Sequence, residues 1–133
     1  MIFLDVNVVI YAQGKPHPFK GRCQKIMNRL VDHAVDFAIN TEILQEVIYF
    51  YHRRKRLDWG LQTYRVLTEY IRDILPVSRI TTDIALELLT EHEQILSYRD
   101  AIHVATMREA GIKEILSFDR HLDSVDGIKR VEP

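Results

Sequence analysis

The segment that decides the fold is Ile2-Phe3-Leu4-Asp5-Val6-Asn7. Its three apolar residues form a short unbroken run, which is typical of a strand covered on both faces. Asp5-Val6-Asn7 then turns the chain into a brief helix that spans residues 8–12. Strand, polar turn and helix in immediate succession indicate a parallel α/β arrangement.

The rest of the chain repeats this alternation. Helical spacing of apolar residues predicts a helix over 19–34, one capped by Thr41, one that begins at Asp58, one from about Thr82, and one over 100–110 that Gly111 ends. Short apolar runs predict further strands at 36–39, 75–77, 114–117 and 128–131. Pro76 places the third strand at a sheet edge, because proline cannot donate to a central ladder. We therefore expect a three-layer α/β/α fold with a central parallel sheet of four to five strands flanked by helices.

Composition limits the classes of function. The 133 residues suffice for one domain, 1–133, and 18 Lys and Arg against 19 Asp and Glu give a net charge of −1. Overall charge therefore provides no attraction for a polyanion, and any such partner needs a local basic patch or a metal. The lone Cys23 excludes an intramolecular disulfide and a Cys-based zinc site. With no signal peptide visible and no apolar run long enough for a membrane span, we expect a cytoplasmic protein without membrane contact.

Four acidic residues stand where strands give way to helices or in the helix that follows: Asp5, Glu46, Asp100 and Asp119. Each has an ordinary structural explanation, as an Asx turn, a helix cap or a solvated helix residue. Taken together, however, they belong to one edge of the predicted sheet, because strands one and four can be neighbours in a right-handed winding. Acids gathered at one edge repel each other unless a cation lies between them. Carboxylates suit Mg²⁺ or Mn²⁺, and such ions point to phosphate chemistry.

The same residues carry a family resemblance. The motifs Phe3-Leu4-Asp5-Val6-Asn7, Thr41 followed by Glu46, Tyr98-Arg99-Asp100-Ala101-Ile102-His103, and Leu116-Ser117-Phe118-Asp119-Arg120 resemble those of PIN-domain ribonucleases, most of all the VapC toxins of VapBC toxin–antitoxin pairs. The resemblance covers essentially the whole chain. It implies a metal-dependent endoribonuclease that leaves 5′-phosphate and 3′-hydroxyl ends, and a small VapB-type antitoxin as its partner.

The resemblance also assigns roles to residues. The family's four acidic positions map onto Asp5, Glu46, Asp100 and Asp119, which are expected to hold one or two Mg²⁺ or Mn²⁺ ions and to be catalytic. Asp5 is expected to be the central ligand, and Glu46 either a ligand or the residue that orients water. The family's small polar residues map onto Asn7 and Ser117, which are expected to hydrogen-bond the carboxylates.

Other segments leave alternatives open. The basic run Arg53-Arg54-Lys55-Arg56 fits the solvated end of a helix, or a track for the RNA backbone. His103 is expected to be a packed histidine, because the acids suffice for a hard ion. The aromatic group Tyr49-Phe50-Tyr51 with Trp59 and Tyr64 fits a core, with a homodimer surface or an antitoxin groove as the alternatives.

Two other classes of α/β protein do not fit the residues of this chain. A phosphoacceptor domain needs an acceptor Asp after a central strand and a Lys after a late one, but here Ser78-Arg79 follow the third strand and Lys129-Arg130 lie at the end of the chain. A haloacid-dehalogenase-type phosphatase needs Asp where this chain has Asn7. A catalytically silent PIN domain that acts as a binding module, and an RNA-processing PIN nuclease without an antitoxin, remain the alternatives to a toxin.

Overall fold

The N-terminal segment Ile2–Leu4 forms the central strand of the sheet. The computed structural model describes residues 1–133 and contains five parallel strands in the order β3-β2-β1-β4-β5. Their bounds are β1 Ile2–Leu4, β2 Phe37–Asn40, β3 Asp73–Leu75, β4 Glu114–Leu116 and β5 Lys129–Val131. In the central strand Phe3 is opposite Ala38 on one side and Ile115 on the other, and all three are buried. The predicted parallel sheet, with the third strand at its edge, is confirmed.

Six helices flank this sheet. They are α1 Val6–Gln13, α2 Lys20–Val31, α3 Thr41–Arg53, α4 Leu57–Tyr70, α5 Arg79–Glu91 and α6 Tyr98–Ala110, and a 3₁₀ helix spans Arg120–Ser124. The helices pack in sequential pairs, α1 with α2, α3 with α4 and α5 with α6. None of the six is both long enough and apolar enough to cross a bilayer.

Capping residues move several boundaries from their predicted places. The cap of α3 is Asn40, whose Oδ1 accepts a hydrogen bond from Ile43 N at 3.0 Å, and not Thr41. Helix α5 begins before Thr82, because Ser78 and Thr81 form a reciprocal capping box. Helix α6 begins at Tyr98, since Ser97 caps it and Asp100 lies in its first turn. Local side-chain hydrogen bonds therefore set the helix starts.

Strand β3 lies two residues earlier than predicted. It spans Asp73–Leu75 and ends before Pro76, which has no N–H to donate. Val77, placed in the strand by the sequence, instead donates its N–H to Thr41 Oγ1 at 3.2 Å. The segment therefore leaves the sheet at the proline. At the other end of α6, Gly111 ends the helix with a φ of 70°, as predicted.

Candidate active site

The carboxyl ends of the neighbouring strands β1 and β4 meet at Asp5. The Asp5 N–H donates to Leu116 O at 3.1 Å, and Ser117 Oγ donates to Asp5 Oδ2 at 2.6 Å. Ser117 Oγ also accepts from the Asp119 N–H at 3.0 Å. A single buried hydroxyl thus connects the acid after β1 with the backbone of the acid after β4.

The Asp5 carboxylate is not used for capping. Asp5 precedes α1 at the cap position but makes no side-chain cap bond, and the residue is only 5% exposed. Burial raises the pKa of this carboxyl, and the negative charges of Asp100 and Glu46 add to the rise. His103 and the Ser117 hydroxyl act in the opposite direction without overcoming it. Asp5 therefore lies in a site where negative charge is incompletely compensated by the protein.

Asp100 and Asp119 extend the acidic edge. Ser97 Oγ donates to Asp100 Oδ2 at 2.8 Å, which fixes the carboxylate against the first turn of α6. Burial raises the pKa of Asp100, and the neighbouring Asp119 raises it further. Asp119 does act as a cap, for its Oδ1 accepts from His121 N at 2.9 Å. The structural role and the acidic cluster thus coexist in this residue.

The carboxylate of Glu46 lies next to a buried histidine, His103. Glu46 is 7% exposed, and its Oε1 lies 3.5 Å from His103 Nε2. On the other side of the ring, His103 Nδ1 lies 3.0 Å from Asn40 Nδ2, while Asn40 also donates to Thr106 Oγ1. Because the Asn40 oxygen already caps α3, its amide nitrogen faces the ring, and the tautomer with its proton on Nε2 satisfies every partner.

Burial favours neutral His103, but the hydrogen bond and charge of Glu46 outweigh it and raise the pKa of His103. The charges of Asp5 and Asp100 act in the same direction. The expectation of a packed histidine therefore agrees with the burial of the ring. The role of Asn40 as the cap of α3 was not predicted, although a polar residue between a strand and a helix is a recognisable cap signal.

Arg99 is a cation at Glu46 whose contact sequence reasoning missed. Its Nε lies 3.8 Å from Glu46 Oε1 and 3.7 Å from Glu42 Oε1, and its side chain is 54% exposed. No short-range signal predicts this contact, because it joins α6 to α3. Asn7, expected to bond a carboxylate, forms no such bond and instead lines the neighbouring cleft with Glu46.

The oxygen donors at this edge are of the chemical kind that a hard divalent ion accepts. No three His, Cys, Asp or Glu side chains lie close enough together in this structure to enclose one ion by themselves. Yet Glu46 Oε2 is buried without any hydrogen-bond partner, and the pKa values of Asp5 and Asp100 are both raised. A cation satisfies an unpartnered buried oxygen and lowers both pKa values, and oxygen ligands are those that Mg²⁺ accepts.

Comparison with known proteins decides the family. The family model described as "PIN domain" matches residues 2–128. This chain belongs to the PIN-domain family.

Curated relatives and solved structures agree with this assignment. Over 131 residues the PIN domain is 32% identical to Ribonuclease VapC13 of Mycobacterium tuberculosis, an alignment that covers 98% of this chain and 99% of the relative. It is also 32% identical over 127 residues to Ribonuclease VapC23 of the same species, covering 93% and 97%. The crystal structure of M. tuberculosis VapC20, titled a sarcin-ricin loop cleaving toxin, superposes with a TM-score of 0.80 at 23% identity and covers 100% of both chains. VapBC2 from Rickettsia felis gives a TM-score of 0.73 at 18% identity, covering 100% of this chain and 99% of that one.

A cleft of about 850 Å³ in this PIN domain is lined by Glu46, one of the four acids. Arg53 and Arg54 line it, together with Glu46 and Arg99. The basic run is not one continuous surface, however, because α3 ends at Arg53 and the backbone reverses at Lys55, whose φ is 56°.

The two remaining members of the run lie outside the cleft. Arg56 forms a two-point ion pair with Asp58, with Nε 3.1 Å from Oδ1, and its guanidinium covers the Trp59 ring at 4.0 Å. Lys55 occupies the reversal itself. Of the four residues, only Arg53 and Arg54 therefore share a cleft with Glu46, and RNA binding by the run stays a prediction.

Proposed function

We propose that this PIN domain is a metal-dependent endoribonuclease and the toxin of a type II toxin–antitoxin pair. The single observation that carries the proposal is the buried, unpartnered Glu46 Oε2 beside an acidic edge whose Asp5 and Asp100 have raised pKa values. The curated relatives named as VapC ribonucleases support the choice of RNA as the substrate.

Asp5, Glu46, Asp100 and Asp119 would hold one or two Mg²⁺ or Mn²⁺ ions. Such an ion would lower the pKa of a water molecule bound to it and would neutralise the charge that develops on the attacked phosphate. The cleavage products would carry 5′-phosphate and 3′-hydroxyl ends.

The protein's own contribution is to orient the acids and to attract the RNA. Ser117 and Ser97 fix the carboxylates of Asp5 and Asp100 through short hydrogen bonds. On the open side, Arg53 and Arg54 place positive charge along the cleft, where phosphates of the RNA backbone would bind.

The partner we propose is a small VapB-type antitoxin. Two structures of similar fold support it: VapBC2 of R. felis, and a toxin–antitoxin complex from Klebsiella pneumoniae with a TM-score of 0.68 at 15% identity, covering 97% of this chain and 96% of that one. A homodimer and a cytoplasmic location remain predictions. Light scattering of the purified chain tests the first, and cell fractionation the second.

Cleavage of a structured RNA tests the activity. We expect cutting with Mn²⁺, none with EDTA, and none with Asp5→Asn, whose amide cannot provide the same charge. Asp83→Asn is the matched control, because Asp83 is exposed on α5 and its carboxylate pairs with Arg79 and with none of the four acids. End labelling of the products checks for the 5′-phosphate.

Two results would contradict the proposal. Equal cutting by the parent, the EDTA sample and Asp5→Asn would assign the activity to a contaminant. RNA binding without Mn²⁺-dependent cleavage would favour the silent binding module instead.

A further inference from the structure

The cleft beside Glu46 is lined by residues of α1 and α3, together with Arg99 of α6. Along α3 its lining residues follow helical spacing, from Glu46 to Tyr49 and then to Arg53, so they share one face of the helix. From Glu46 to Arg53 that face extends about 10 Å at the usual helical rise. Asn7 and Tyr11 of α1 form the facing wall. The cleft therefore begins at a candidate catalytic acid and leads away from it.

Tyr49 is the most exposed aromatic residue in this cleft. The residue is 51% exposed, and the guanidiniums of Arg53 and Arg99 flank its ring at 5.7 and 5.6 Å from the centroid. Arg53 Nη1 also donates to the Tyr49 hydroxyl at 3.1 Å, which orients both side chains. An exposed ring beside two cations suits a ligand in which a planar group adjoins an anionic one, as the base adjoins the phosphate in a nucleotide.

The neighbouring rings are already covered. Phe50 has the Arg54 guanidinium 3.5 Å from its centroid. Tyr11 stacks on His17, with centroids 4.5 Å apart and planes 12° apart. Both of these rings are packed closely against another side chain. At Tyr49 the guanidiniums lie further from the ring centroid, at 5.7 and 5.6 Å, and half of the residue is exposed to a ligand.

We propose that this cleft binds one unpaired ribonucleotide next to the phosphate that is cleaved. Its base stacks on Tyr49, and Arg53 and Arg99 contact the adjoining phosphates. Stacking needs a base that is free of its partner, so the site selects single-stranded or looped RNA over a duplex. The inference rests on the proposed ribonuclease activity, and it adds a residue that determines which RNA is accepted.

Arg99 connects the two parts of the site. It contacts Glu46 and also flanks Tyr49, so a nucleotide on Tyr49 lies beside the candidate metal ligands. Tyr49 itself contacts no carboxylate at the acidic edge, which allows base recognition to be tested separately from the acids.

The test combines protein variants with abasic RNA. A single-stranded RNA with one mapped cleavage site is prepared intact and as a series in which one base at a time is removed. Cleavage rates in Mn²⁺ and affinities in EDTA are measured for the parent, Tyr49→Ala and Tyr49→Phe. Tyr64→Ala is the matched control, a truncation of another exposed tyrosine that lies on α4 outside the cleft.

For the parent we expect one abasic position beside the cleaved bond to lower affinity and rate roughly five- to a hundredfold. Tyr49→Ala should show that loss on intact RNA and no further loss at the abasic position. Tyr49→Phe keeps the ring and should restore the loss at the abasic position that Tyr49→Ala lacks, while Tyr64→Ala should match the parent. Annealing a complementary strand should abolish the difference between the parent and Tyr49→Ala.

An abasic profile of Tyr49→Ala equal to that of the parent would overturn the inference, as would unchanged binding of intact RNA. If the parent fails to cut in Mn²⁺, the ribonuclease proposal fails by itself. The affinities in EDTA then still decide whether Tyr49 binds a base.

Discussion

Replacing Ser117 by Ala removes the hydroxyl that connects the two central acids. Ser117 is fully buried, and its Oγ donates to Asp5 at 2.6 Å and accepts from the Asp119 N–H at 3.0 Å. A hydrogen bond to a charged group contributes about 1.5–3 kcal/mol. At about 4 °C per kcal/mol for a domain of this size, we expect the melting temperature to fall by roughly 6–12 °C.

A double-mutant cycle separates this bond from a general packing defect. In an Asp5→Asn background the partner is neutral, so Ser117→Ala should cost only about 1 kcal/mol. Urea denaturation of the four proteins gives the coupling free energy. Ser78→Ala serves as the control, because Ser78 caps α5 and its loss should be additive with Asp5→Asn. Additivity of Ser117→Ala with Asp5→Asn, within about 0.3 kcal/mol, would refute the bond as the source of the effect.

Three further perturbations test the metal site, the helix packing and the buried histidine. Mn²⁺ at a hundred times its dissociation constant should stabilise the parent by about 2.7 kcal/mol in a thermal melt and leave Asp5→Asn unchanged; a parent indifferent to Mn²⁺ would contradict the site. Gly60→Ala should lower the free energy of unfolding in urea by about 1–2 kcal/mol, because the added Cβ lies 3.1 Å from Tyr51 Cβ. Gly21→Ala is the control: its Cβ contacts nothing, so it should raise the free energy of unfolding by about 0.5–1 kcal/mol. A change of the same sign in both variants would show that α3 and α4 can separate. His103→Leu should cost about 3 kcal/mol in urea, since it leaves buried polar partners on α3 and β2 unsatisfied, and a loss under 1 kcal/mol would show that water replaces the ring.

The order of the elements was predictable because each strand is a short apolar run next to a helix-spaced segment. The adjacency of β1 and β4 also followed from the handedness of the winding, and the structure confirms it. Boundaries were predicted less well where two candidate caps are adjacent. Asn40 and Thr41 can both begin a helix, and only the buried partners of Asn40, on α6, determine which one does.

The acids were recognisable because their positions relative to the strands are local features of the sequence. Their surroundings were not, since Arg99 and His103 reach Glu46 only through the packing of α6 against α3. Lys55 shows the opposite failure. A basic run that looks continuous in sequence is divided by a backbone reversal that no charge pattern reveals.

The separation of charge by depth shows how the proposed ribonuclease, at a net charge of −1, would attract RNA. Two of the acids, Asp5 and Glu46, are almost wholly buried, whereas Arg53 and Arg99 are exposed along the adjoining cleft. Exposed charges act on an approaching polyanion through the solvent and are screened by salt, while buried acids act at short range on whatever ion reaches them. The net charge of −1 therefore includes two regions of opposite charge, a buried acidic region and an exposed basic region. One suits a cation and the other a phosphate backbone, and Arg99, which contacts Glu46 while flanking Tyr49, lies at the boundary between them.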